Sequence, residues 1–261
     1  MQFREGSGER YVVTQPTHAW VSGQLARAWG NDRFGSVEPR GDVCLGAELH
    51  DIGWLDWERE PTLNETTGLP HSFMQLPTAL HLSIWGQASS LARPFGRYAS
   101  LLVSMHGTGL YAFHDYERDT EDEARAARAY VERELEYQQS VISQLAADPM
   151  MADFVTPEVI ARNRRLVGVW DAMSLAICGG ITATRVIRDV PSSGAPLEIA
   201  MNPAGANISV SPWPFMDDTT CVRFEARRIS GTFADVTEMR LALSFAEWKT
   251  FDVTLCMPRS G

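Results

Sequence analysis

The sequence predicts a mainly α-helical protein: a helical bundle with an N-terminal β-hairpin and a small C-terminal β appendage. Three observations predict it. Apolar residues recur at helical spacing through most of the first 180 residues. Those stretches are bounded by capping residues and glycine stops. After about Ile181 the texture changes to short strand-like runs separated by Pro, Gly, Asn and Ser. The expected organisation is a helical domain with its hairpin over residues 1–180 and a β-rich appendage over residues 181–261, packed on it.

The elements follow in order. Gln2-Phe3-Arg4 and Tyr11-Val12-Val13-Thr14 flank the turn-rich Glu5-Gly6-Ser7-Gly8 and read as the hairpin. Thr14 is an N-cap candidate, with Pro16 in the first turn, for a helix running to about Trp29. Asp42 is placed to cap a second helix that ends near Gly53. Residues 54–73 are irregular and rich in Trp, Pro and Gly, the composition of an ordered loop. Helical patterns return over residues 77–91 and 97–110. A charged amphipathic helix spans residues 121–144, its charges read as a solvated face. Thr156-Pro157-Glu158 opens a last helix that stops at Gly179-Gly180. Strands are expected at residues 197–200, 207–210, 221–224 and 251–255. Ser211-Pro212-Trp213-Pro214-Phe215 cannot be the middle of a central strand, because proline lacks the ladder donor. The hairpin and the appendage are candidates to pair with one another.

The 261 residues are 44% hydrophobic and 21% charged, enough to bury a full core without a structural metal. A metal site here would therefore serve chemistry rather than folding. The net charge of −10 argues against a nucleic-acid or anionic-membrane surface, since neither has a basic footprint to hold it. Cys44, Cys178, Cys221 and Cys256 form no C-x-x-C pair and read as small buried apolar residues. The start lacks a signal-peptide core and no apolar run is long enough to span a membrane, so a cytoplasmic protein is expected.

Chemistry concentrates in the histidines. Of six, His18, His50, His81 and His106 fall in otherwise apolar predicted helices; His50 is followed by Asp51, and the last helix carries Asp171. Burying one such group without a partner costs several kcal/mol (~2–7). Inward polar residues on five helices can satisfy one another through a shared metal, and imidazole with carboxylate suits zinc, iron or manganese. His71 reads as a loop residue, with a substrate or proton-transfer role as its alternative, and His114 as a surface residue. Trp54, Trp57, Phe73 and Trp85 read as core packing that can also roof a pocket. Glu58 and Glu60 read as solvated charges.

The order H…HD…H…H…D resembles the HD-domain superfamily of metal-dependent enzymes. The stretches Thr14-Gln15-Pro16-Thr17-His18-Ala19, Glu48-Leu49-His50-Asp51-Ile52-Gly53-Trp54, Leu101-Leu102-Val103-Ser104-Met105-His106, Val169-Trp170-Asp171 and Ser211-Pro212-Trp213-Pro214-Phe215 are together similar to the DUF3891 family, over nearly the whole chain. The resemblance implies an HD-domain-like bundle. It also implies that His18, His50, Asp51 and Asp171 hold one metal, that His81 and His106 bind a second, and that Asp51 bridges the two. Superfamily members with six such ligands include cyclic-dinucleotide phosphodiesterases and di-iron oxygenases. Many relatives place a basic residue where this chain has Trp54, and Gly107 rather than a second histidine follows His106. Both departures point away from phosphate esters, although Arg33, Arg59 or Arg97 could supply charge from loops.

The expectation is a dinuclear metalloenzyme, with iron preferred over manganese or zinc, acting on a small molecule. Asp51 and His71 are the candidate catalytic residues, and dioxygen-dependent oxidation is favoured. The rivals are metal-dependent phosphohydrolysis and a metal-stabilised binding protein without turnover.

Overall fold

The structure is a computed structural model that describes residues 1–6, 8–112, 115 and 119–258. Strands β1 (Gln2–Gly6) and β2 (Glu9–Val13) form a hairpin, and helix α1 (Gln15–Ala28) follows directly. Thr14 caps α1 by accepting from the Thr17 backbone N–H, with proline in the first turn. Helix α2 (Arg40–Leu49) begins after Pro39, so Asp42 lies inside its first turn instead of capping it. A 3-10 turn (Ile52–Trp54) and the short α3 (Leu55–Arg59) lead into a two-stranded hairpin, β3 (Leu63–Asn64) and β4 (Leu69–Pro70). Helices α4 (Thr78–Ala92), α5 (Arg97–Tyr111), α6 (Glu121–Ala146) and α7 (Pro157–Gly179) complete the helical layer. Thr120 and Glu123 form a reciprocal cap on α6, and Thr156 caps α7.

The chain then adds β5 (Arg185–Val190), β6 (Leu197–Ala204), β7 (Asn207–Ser211), β8 (Thr219–Ile229), α8 (Val236–Phe245) and β9 (Trp248–Cys256). Together with the N-terminal hairpin, these strands form one seven-stranded sheet in the order β1-β2-β8-β9-β7-β6-β5. The β7–β9 pair is parallel and the others are antiparallel. Tyr11 stands opposite Arg228, so the two ends of the chain share a ladder.

The expected mainly helical bundle with a small β appendage is therefore wrong: helices pack on a large sheet. The reason lies in the strands. β8 alternates inward Thr220, Val222, Phe224 and Ala226 with polar or charged neighbours over eleven residues, of which only the apolar centre reads as strand. β5 sends only Ile187 and Val190 inward, and its regular alternation is broken by a bulge near Asp189, whose φ is 53°. Helix α8 was not foreseen, although Asp235 and Glu238 carry a capping pattern: Asp235 accepts from the Thr237 and Glu238 N–H groups.

The main core joins both layers. Val13, Leu25, Trp29, Trp170 and Met173 from the helical half and its hairpin share one cluster with Ile199, Met201, Val210, Val222 and Phe224 of the sheet. Phe215 closes it from the proline-rich segment: its ring lies 5.8 Å from Trp29, and Gly30 N–H donates to Pro214 O across 3.0 Å. That segment docks on the end of α1. Trp54, Trp57 and Ile84 belong to a second cluster with Phe73 packed against it, while Trp85 lies in a third.

Candidate metal centre

Four helices and one turn aim polar side chains into the same buried volume. His18 comes from α1, His50 from the end of α2, Asp51 from the turn after it, His106 from α5 and Asp171 from α7. The turn is held close to α4: a Cβ on Gly53 would collide with the Ile84 carbonyl oxygen, and Gln87 Nε2 donates to Gly53 O. Two groups have ligand atoms within 4.8 Å of one another: His18, His50 and Asp51, and His50, His106 and Asp171. His50 belongs to both.

Hydrogen bonds set the ring orientations. His50 Nδ1 lies 2.7 Å from Ala47 O. A carbonyl only accepts, so Nδ1 carries the hydrogen and Nε2 faces the cluster. Nε2 is buried and has no hydrogen-bond partner among the described residues; carboxylate oxygens lie near it, Asp171 Oδ1 at 3.5 Å and Asp51 Oδ2 at 3.8 Å. His18 Nδ1 is 2.8 Å from Ser174 Oγ, which donates to Asp171 O and is approached by Ser22 Oγ. That leaves Nδ1 as the donor, so the bare Nε2 points at Asp51 Oδ2 across 2.6 Å. Two electron-rich atoms at that distance require a cation between or beside them, a proton or a metal. Fixing one ring nitrogen on a backbone or side-chain oxygen while the other faces inward is how proteins orient metal-binding histidines.

The electrostatics agree. Burial would raise the Asp171 carboxyl, but His50, His106 and His18 outweigh it and hold it well below the usual carboxylate range. Asp51 is lowered in the same way: His50 and His18 overcome its burial. Burial would lower the His50 imidazole, but Asp51 and Asp171 push it up to about 9. His106 is lowered to about 4 by burial and by His50, against the pull of the two carboxylates. Without a metal, the cluster thus retains a proton on His50. With three neutral imidazoles, the two carboxylates match the charge of a divalent cation.

The remaining expected residues lie elsewhere. His81 is not in either group: Trp85 Nε1 donates to its Nε2 at 3.0 Å, and its Nδ1 is 2.8 Å from Tyr111 Oη. Trp85 packs against both rings, 6.0 Å from His81 and 5.5 Å from His106. His71 is on the β3–β4 hairpin, bonded through Nδ1 to Thr62 Oγ1, and joins neither group. His114 lies outside the described residues. Glu58 is buried rather than solvated: its Oε1 accepts from the Gln15 N–H, putting a carboxylate at the N-terminus of α1. Cys44 and Cys178 are buried as expected, but Cys221 is exposed and Cys256 half-buried.

The sequence reading missed three contributors. Ser174 lies one turn beyond Asp171, a spacing that could have marked it. Gln15 donates to Asp51 Oδ2 at 3.3 Å, and no sequence signal singles it out. The third is a cavity of about 570 Å³, lined by His106, Gly109, Leu110, Arg164, Gly168 and Asp171 among others. Asp171 has the most exposed side chain of the five, at 18%. The centre opens to this cavity through Asp171 and His106.

Residues 1–231 match the family described as Protein of unknown function (DUF3891). The chain belongs to the DUF3891 family. No curated protein and no solved structure matches it. No described helix of this DUF3891 protein is long and apolar enough to cross a membrane.

Proposed function

We propose that this protein is a metal-dependent enzyme of the HD-domain type that transforms a small molecule in the cavity beside His106 and Asp171. One observation carries the reading: His50 Nε2, buried and without a hydrogen-bond partner among the described residues, faces two carboxylates and two further histidines. Without an ion, that atom has only carboxylates at 3.5 and 3.8 Å, longer than a normal hydrogen bond, to hold a proton against. With His50 Nδ1 committed to Ala47, one lone pair is left for one ion. The centre is therefore read as a single ion on His50, with His18, Asp51, His106 and Asp171 as the other candidate ligands. A second ion at His81 would require Nε2 of that ring to give up the Trp85 N–H.

The oxygen-and-nitrogen donor set suits iron or manganese, and zinc fits less distinctively. The ion would supply Lewis-acid polarisation or, as iron, electrons for dioxygen. Oxidation is our first reading, supported by this donor set and by Trp85 against His106. Hydrolysis is the second, favoured by one observation: a carboxylate and an imidazole both reach the cavity, where they could move protons.

Metal analysis of protein purified without chelators, followed by paired assays of dioxygen uptake and phosphate-ester hydrolysis, tests the reading. We expect about one ion per chain, lost in Asp51→Asn and retained in His81→Phe. Wild-type metal content in Asp51→Asn, or no metal in the native protein, would overturn it.

A further inference from the structure

The cavity beside the centre lies in a groove between α5 and α7. On α7, Arg164, Gly168 and Asp171 recur at i, i+4 and i+7 and share one helix face. On α5, His106, Gly109 and Leu110 recur at i, i+3 and i+4 and form the opposing wall. Each stripe begins with a group of the metal centre, His106 or Asp171, and continues away from it.

Gly168 sits in the interior of a long helix, where glycine costs about 1 kcal/mol relative to alanine. Helix packing does not demand it, because a Cβ there would meet nothing within 4 Å. What its missing side chain leaves is cavity.

Arg164 is exposed in this wall. Its neighbour Arg165 is engaged, donating to the Arg188 and Asp189 carbonyls. The Arg164 guanidinium has no hydrogen bond or ion pair among the described residues, although the chain carries ten more acidic than basic side chains. It lies over Gly109, where a Cβ would be 3.3 Å from Nη2. Gly109 is one turn beyond His106, about 4.5 Å of helix rise. An unengaged guanidinium therefore lines the same cavity as His106 and Asp171, displaced from them along both helices. Arg33 and Arg59 do not line this cavity, and Arg97 is paired with Asp148.

We propose that Arg164 receives an oxyanion, a carboxylate or a phosphate, carried by the substrate at the end of the cavity away from the group that reacts at the metal centre. The proposal rests on the metal-centre reading above. It makes the substrate a two-ended small molecule: one end faces His106 and Asp171, and the other carries an anionic tail toward Arg164. The guanidinium fork matches either oxyanion in a bidentate pair. Leu110 and Met105 supply apolar wall for the carbons between.

Hydroxamates, which ligate metals by their head group, test this in the metal-loaded full-length protein. Acetohydroxamate has a head and no tail. Succinyl and glutaryl monohydroxamates add a carboxylate, and 3-phosphonopropanohydroxamate adds a phosphonate. Calorimetry should show at least one tailed ligand binding about tenfold or more tighter than acetohydroxamate, and the better tail identifies the oxyanion. Arg164→Leu should erase the advantage and Arg164→Lys retain part of it, both with wild-type metal content. Gly168→Leu should exclude all four ligands while keeping the metal and raising thermal stability. If acetohydroxamate binds and no tail improves it, or the advantage survives in Arg164→Leu, the proposal is overturned and the metal reading stands. Wild-type binding by Gly168→Leu would also overturn it. Absence of metal and of all hydroxamate binding would overturn both.

Discussion

At the residue scale, the histidines differ in what each nitrogen is free to do. His50 and His18 each commit one nitrogen to an oxygen of the protein and turn the other inward; His81 commits both. This gives a pH dependence with a definite sign. Metal-free His50 holds its proton up to about pH 9, and a metal must displace that proton. Apparent metal affinity should therefore rise with pH, about tenfold per unit from this proton, and level off above about 9. His106, lowered to about 4, adds a further loss only in acid below that value. Competition titrations from pH 6 to pH 10 check this; a flat profile would remove His50 from the ligand set. Ser174→Ala tests the outer layer. It removes the oxygen that fixes His18 Nδ1 and should weaken metal binding about 10- to 100-fold, with the fold retained by circular dichroism. Unchanged affinity would mean that packing alone orients His18.

At the element scale, the turn between α2 and α3 sets the position of Asp51. Gly53 lets this turn lie against the α4 backbone, since any Cβ there meets the Ile84 carbonyl. Gly53→Ala should cost about 1–3 kcal/mol of unfolding free energy, the usual range for overpacking. It should also lower metal affinity, because the turn must move with Asp51 on it. A variant with wild-type melting and wild-type affinity would show that the contact relaxes without consequence. The helices themselves were largely legible. Thr14, Thr156 and the Gly179-Gly180 stop are short-range signals read correctly from neighbouring residues alone. The strands were less so. The runs expected at 197–200, 207–210, 221–224 and 251–255 lie inside β6 to β9, but β5 buries only two side chains and was not expected, and the order of all of them in the sheet depends on partners far away in the chain.

At the scale of the whole molecule, helices and sheet share a core. Trp29, Trp170 and Met173 are wholly buried in the cluster that also holds Phe215, Val222 and Phe224. Burying each large side chain contributes about 1.5–3 kcal/mol, and several of them together rival the 5–15 kcal/mol of a typical domain, a range taken as ~10. A fragment ending at residue 180 should therefore lack cooperative thermal unfolding and bind hydrophobic dyes. Cooperative melting of that fragment, with its metal, would show that residues 1–180 fold independently of the sheet.

By itself, the sequence determined the helical segments, their caps, and the list of residues able to ligate a metal, because capping and periodicity depend on residues a few positions apart. Only the tertiary structure decided which members of that list meet. His81 has the same apolar helical setting as His106, yet Trp85 and Tyr111 claim its nitrogens while His106 faces Asp171. Likewise, the hairpin does pair with the C-terminal strands as expected, but only the structure set which strand and which register, Tyr11 opposite Arg228, and so joined them into one seven-stranded sheet. The physical reason is the same in both cases. A side chain's last rotamer and a strand's partner are set by groups distant in sequence, which compete for the same hydrogen bonds and the same buried space.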